Sequence, residues 1–234
     1  MSSFIEKIAP NLYAYRERFL LSLSQSALLF IIPGVIAFII GLALGVILTV
    51  TRKDGIRPNK YIFRIVDTVI NVFRSIPFVI LLIFLIPFTR FLVGTSIGVK
   101  GAVVPLVFGT VPFYTRQVET VLVNLDKGKI EASRAMGTST IGIIFRVYLH
   151  EAVPELIRVT TITAISLVGL TTMAGAVGAG GIGSFAINYG QGQHHQDIVN
   201  ASVIVLLIVV CLLQSLGALL AKRTTNRALF AKKR

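Results

Sequence analysis

Tryptophan is absent from this chain, and Cys211 is its one cysteine. Without tryptophan, any aromatic belt at a membrane surface must be built from tyrosine and phenylalanine. A lone cysteine excludes an internal disulfide, and Cys211, set in an apolar run, reads as a small buried hydrophobe. Acidic residues are scarce, with 10 Asp and Glu against 23 Lys and Arg. The chain also lacks a Walker-type glycine loop, a Ser/His/Asp arrangement and a Cys/His metal spacing, so no catalytic residue, metal or cofactor is expected. His194-His195 with Asp197 comes nearest to a metal site. Its spacing follows no recurring ligand pattern, and GQGQHHQD reads as a polar outer loop. Nor does a small-residue cleavage site follow a basic start and an apolar core, so a signal peptide is not expected.

What is present is apolar sequence. Hydrophobic residues make up 54% and charged residues 14% of the chain, and the mean hydropathy is +0.82. This is the composition of an integral membrane protein. The net charge of +13 is divided among clusters that apolar runs separate. Loops facing anionic membrane lipid explain such clusters better than a nucleic-acid surface does.

The fold class expected is all-α integral membrane. Residues 1–18 carry Ile5, Ile8, Leu12 and Tyr15 at helical spacing and read as a short interfacial helix. Five spans follow, at about 19–50, 61–92, 101–125, 159–187 and 198–221, each long enough to cross a bilayer. Prolines at 33, 77, 87, 105 and 112 imply kinks. Basic residues concentrate at Arg52–Arg64, Lys127–Arg158 and in the tail 222–234. Five alternating spans then put these three segments in the cytoplasm and the N-terminus outside, despite Lys7, Arg16 and Arg18.

The loop 126–158 is a polar island between spans. Ala132, Ala135 and Met136 recur at i, i+3, i+4, a narrow face with two small members. Gly137 can end that helix in the left-handed conformation, and Thr138 or Ser139 can cap the next. Ile141, Ile144, Phe145, Tyr148 and Leu149 then form a regular amphipathic stripe. A helix–Gly–helix element of this kind is a compact knob for a soluble partner.

Two further groups stand out within the spans. Gly175, Ala179 and Gly183 repeat at i, i+4, i+8, as small residues do where helices pack closely or bend in gating. Met173, two residues before them, has an unbranched thioether chain that can fill space or seal a constriction. Asp67, Asn71 and Arg74 fall at i, i+4, i+7 and either line a path or mark the cytoplasmic interface, with Arg74 snorkelling.

Glu131-Ala132-Ser133, then Gly137, then Val147-Tyr148-Leu149 resembles the EAA loop of ABC-transporter permeases. That pattern is Glu-Ala-Ala, three residues, Gly, nine residues, then Ile-x-Leu-Pro. Here Ser133 replaces the second alanine, Val147 the isoleucine and His150 the proline, leaving Pro154, one turn later, to end the helix. Phe73-Arg74-Ser75-Ile76-Pro77-Phe78, Ile86-Pro87-Phe88-Thr89-Arg90, Val93-Gly94-Thr95-Ser96-Ile97-Gly98 and Gly175-Ala176-Val177-Gly178-Ala179-Gly180-Gly181 extend the likeness. Together they resemble the permease subunits of D-methionine ABC transporters. The resemblance implies a cell-membrane homodimer, paired with two ATP-binding subunits and fed with methionine by an outer binding protein. It also implies that Glu131, Ala132, Ser133, Ala135 and Gly137 couple to the ATPase, and that ATP is hydrolysed in the partner. The competing readings are a permease for another small amino acid and, from a different class, a passive channel or secondary transporter. The second transporter class usually carries internal repeats and paired mid-membrane charges, which are not evident here.

Overall fold

The computed structural model describes residues 9–231, with side chains as far as Thr225. Ile5, Ile8, Lys7 and the end of the basic tail therefore lie outside the described residues or side chains. Every described element is helical: α1 (Pro10–Ala14), α2 (Arg16–Thr51), α3 (Lys60–Ser75), α4 (Phe78–Phe84), α5 (Ile86–Val93), α6 (Gly98–Val123) and α7 (Lys127–Ala135). Next, α8 (Thr140–Ile143) passes through a π-helical turn (Ile144–Leu149) into α9 (His150–Ala174). A second π turn (Gly175–Ala179), α10 (Gly181–Phe185), a third π turn (Ala186–Gly190), a 3-10 turn (Gln191–Gln193) and α11 (Gln196–Ala231) complete the order.

Three helical stretches are long and apolar enough to cross a membrane: Arg16–Thr51, Thr140–Ala179 and Gln196–Thr225. Two sharply bent pairs, α3 with α4 and α5 with α6, pass the same test together, so the count is three spans, or up to five if each bent pair is one. The stretch 61–92, expected as a single kinked span, is three helices. Pro77 ends α3 because the residue before a proline is pushed out of the helical region. Pro87 falls in the first turn of α5, where its missing amide costs nothing. By contrast, Pro105 and Pro112 do not break α6.

The chain divides into two compact units. The first comprises Met1–Val35, Ile76–Thr110 and Ala164–Leu213, the second Ile36–Ser75, Val111–Thr163 and Gln214–Arg234. In the first unit Leu29, Leu82, Leu106 and Leu167 form the buried core, with Phe30 and Phe78 against it. Asp197 accepts the backbone amides of Asn11 at 2.9 Å and Leu12 at 3.1 Å and so anchors α1. His195 meets the Tyr189 carbonyl at 3.1 Å. In the second unit the core is Tyr114, Val118, Leu122, Ile143 and Tyr148, with Ile56 and Ile130 packed on it. Cys211, expected to be buried, is exposed, on a span whose apolar surface is almost entirely open.

Close helix packing through small residues occurs in the second unit, at Gly41 and Gly45 of α2. A side-chain carbon at Gly41 would lie 2.8 Å from the Tyr114 ring, and one at Gly45 would lie 2.5 Å from Val118. Glycines four apart thus let α2 and α6 approach, as small residues do in membrane helices.

Candidate functional site

The polar island 126–158 folds as a helix, a glycine turn and a second helix. Asp126 caps α7 by accepting the Gly128 amide at 2.9 Å. At the other end Thr138 N donates to Ser133 O at 3.1 Å and Gly137 N to Arg134 O at 2.9 Å. Those two bonds are the paired closure of a Schellman stop, and Gly137 has the positive φ of 75° that the stop requires. Ser139 caps α8 by accepting the Gly142 amide at 3.2 Å. The turn is open, since a side-chain carbon at Gly137 would meet nothing within 4 Å.

Around that turn Ala132 and Ala135 are exposed, Ser133 is buried, and Glu131 is exposed on the same helix. Met136, Ile141 and Phe145 are 78%, 69% and 65% exposed, an apolar patch on a polar element. Of the expected stripe, Tyr148 is buried and Ile144 and Leu149 are half-buried, but Ile141 and Phe145 are exposed. Ile143, outside that stripe, is buried with Tyr148, five residues on, where the π turn replaces i→i+4 with i→i+5 hydrogen bonds and widens the helix. Nor does the helix end at His150 or Pro154. It continues through both to Ala174, and Pro154 near the start of α9 leaves it unbroken.

Polar contacts brace α7 from other segments of the same chain. Lys129 pairs with Glu151. Asp54 pairs with Arg52 at 2.9 Å and Lys127 at 3.5 Å. A bond from its own backbone amide, together with these two cations, holds the Asp54 carboxyl below the usual carboxylate range against the opposing effect of desolvation. Arg52, Asp54 and Lys127, with Glu131, Arg134 and Tyr148, line a cleft of about 90 Å³ beside α7.

Asp67 and Asn71 do come together, at 3.0 Å, but Arg74 does not join them and is exposed. Their cation is Arg116, which reaches Asp67 at 2.6 Å and Asn71 at 2.9 Å and also pairs with the buried Glu119. Arg116 and Glu119 were missed in the sequence reading, although they are conspicuous as charges inside an otherwise apolar helix. A charge in a span needs a partner, and α6 supplies one three residues on.

In the first unit Met173 is 51% exposed, while Gly175, Ala179 and Gly183 are buried. The three do not share one helix face. The helix breaks at Val177–Gly180, where Gly178 and Gly180 have φ of 94° and 85°. The chain then turns back, so that a side-chain carbon at Gly175 would lie 2.6 Å from the Ser184 amide nitrogen. One at Gly183 would strike the Thr172 carbonyl. Gln25 and Ser26 of α2 accept the freed amides of Gly181 and Ile182 at 2.9 and 2.8 Å.

Residues 40–227 match the family described as binding-protein-dependent transport system inner membrane component. A probable D-methionine transport system permease protein of Vibrio cholerae is 39% identical over 87% of this chain and 90% of its own. The methionine import system permease protein of Bacillus subtilis is 42% identical over 77% of this chain and 82% of its own. Among solved structures, an inward-facing conformation of the MetNI methionine ABC transporter aligns with a TM-score of 0.87. It is 42% identical and covers 90% of this chain and 98% of that one. An amino acid ABC transporter solved with histidines aligns at 0.75 with 16% identity, a likeness of fold alone.

Proposed function

Since this chain belongs to the family of binding-protein-dependent transport system inner membrane components, we propose that it is the permease subunit of an ATP-driven importer of methionine. Support for the substrate comes from the methionine permeases that it resembles over most of its length. Support for the coupling role comes from one observation, the open knob at Gly137. Two alanines and an apolar patch of Met136, Ile141 and Phe145 surround a turn with free space beyond it. Such a patch on a polar element fits a protein partner. In this reading the partner is an ATP-binding subunit, present in two copies with a second permease. Glu131 offers that subunit a carboxylate. An outer binding protein delivers the methionine, D or L. Closure of the ATPase then shifts the permease between two states of different affinity.

The basic segments Arg52–Arg64 and Lys127–Arg158 and the tail face the cytoplasm in this reading, and the N-terminus lies outside. Met173 and the glycine turn that follows it are the proposed gate. Reconstitution of the chain with its ATPase and binding protein in vesicles tests the whole. Methionine uptake that requires ATP is the expected result. Uptake that runs equally well without ATP would make this a channel or a secondary transporter instead. Transport of another amino acid, with methionine left behind, would overturn the substrate alone.

A further inference from the structure

A groove of about 440 Å³ lies in the second unit between the start of α9 and the end of α11. Its floor is set by a close crossing, since a side-chain carbon at Gly217 would collide with the Thr161 side chain. Ile162 and Ala218 make its apolar wall, and Arg158, Gln214 and Lys222 line it with polar groups. The apolar run of α11 ends at Ala221 and Lys222-Arg223 follow at once, so the groove straddles the boundary between apolar and basic sequence. Lys222 has no ion-pair partner among the described residues. Arg158 has only the exposed Glu155, at 3.3 Å on its own helix. An exposed pair of that kind is weak and leaves the rest of the guanidinium free.

We infer that this groove holds an anionic glycerophospholipid, with its phosphate between Arg158 and Lys222 and an acyl chain along Ile162 and Ala218. Two cations at the end of an apolar slot complement a lipid that joins one anion to a hydrocarbon chain, and basic pockets between membrane helices take such headgroups. A second copy of the chain is a poorer occupant. A two-fold contact centred on the groove would bring the basic residues of both copies together.

Native mass spectrometry tests this on the chain purified from membranes with the subunits that accompany it, supplied with phosphatidylglycerol or phosphatidylcholine. Wild type should retain phosphatidylglycerol over phosphatidylcholine. Arg158→Gln with Lys222→Gln should weaken retention by about thirtyfold, the effect of removing two basic groups from an anionic surface. Lys53→Gln with Lys100→Gln removes the same charge from exposed positions outside the groove and should leave retention unchanged. Ala218→Phe fills the slot with both cations in place and should also lose the lipid. Equal retention of phosphatidylglycerol by wild type and the groove variants would overturn the inference. So would equal retention of the two lipids by wild type.

Discussion

At Gly137 a side-chain carbon would find nothing within 4 Å, whereas at Gly175 and Gly183 it would run into backbone. Both stretches interrupt a helix with left-handed glycine, at Gly137 in one and at Gly178 and Gly180 in the other. They use the residue for different reasons. The loop turn needs only a conformation and leaves its outer side empty, with Met136 and Ile141 exposed beside it. The turn in the first unit needs both conformation and space, because its two arms pack backbone to backbone. An empty side suits a surface that receives another protein. A filled side belongs to the integrity of the fold, and substitutions at the two turns should therefore fail differently.

The largest effect is expected at Gly183. The Thr172 carbonyl belongs to a helix and cannot swing aside as a flexible side chain would. Gly183→Ala should therefore destabilise the purified complex by about 3 kcal/mol, the upper part of the range for overpacking. A lowered thermal midpoint and a poor yield of inserted protein are the readouts. A variant that melts like wild type would show that the arms of this turn are not tightly closed.

Gly137→Leu comes next, and it separates the two turns. The left-handed conformation costs a branched residue only about 1–2 kcal/mol, so the protein should insert and assemble. Methionine uptake should be lost while ATP hydrolysis continues, because a bulky side chain would then stand on the proposed docking face. Glu131→Lys should give the same phenotype through charge. Wild-type uptake by Gly137→Leu would remove the loop from the coupling path.

Gly137 and its flanking cap were legible in the sequence because a helix stop and an N-cap are local chemistry. Both the left-handed glycine and the Ser139 cap can be read from a few neighbouring residues. The face of the following helix was not legible. A regular 3.6-residue period selects Tyr148 correctly but also Ile141 and Phe145, which are exposed, and it passes over Ile143, which is buried with Tyr148 across the π turn. That insertion has no signature in residue types. The glycines at 175 and 183 do mark a close approach, but not on the single helix face that their spacing implies. Spacing of four assumes one continuous helix, and the break at Gly178 and Gly180 turns a shared face into two facing arms. Gly41 and Gly45 carry the same spacing on an unbroken helix, and there both lie on one face against α6. The Asp67–Asn71 pair was legible as a local i, i+4 contact, but its cation lies on α6, and a distant partner leaves no local trace.

Met173 refines the comparison within the first unit, next to the filled turn. At 51% exposure it is not packed as core, so Met173→Ala should cost less than the roughly 2–5 kcal/mol of a buried methionine. If the side chain seals the path, uptake per assembled complex should become leaky or less dependent on ATP at nearly unchanged stability. A lowered melting temperature with intact ATP dependence would instead make it a packing residue between copies.

The smallest effect concerns how the open turn is held from behind. Asp54 joins Arg52 and Lys127, the first residue of α7, and all three side chains are largely exposed. Exposed pairs contribute about 0–1 kcal/mol, so Asp54→Asn should shift global stability very little at neutral pH. Its local effect should be larger than its global one, because α7 is short and has few other braces. Amide exchange across 127–137 should quicken in the variant while exchange in α6 stays the same. The pH dependence has a fixed sign. The folded-state pKa of Asp54 lies below the unfolded value of about 3.9, so its contribution is complete above that value. It is lost as the pH falls through the lowered folded-state value, where protonation removes the charge that Arg52 and Lys127 hold. The difference between wild type and Asp54→Asn should therefore be constant from pH 7 down to about 5 and should shrink below about 4. A difference that grows on acidification would mean that another group braces the loop. Uptake that falls as far as in Gly137→Leu would mean that the knob depends on this strap as much as on its glycine.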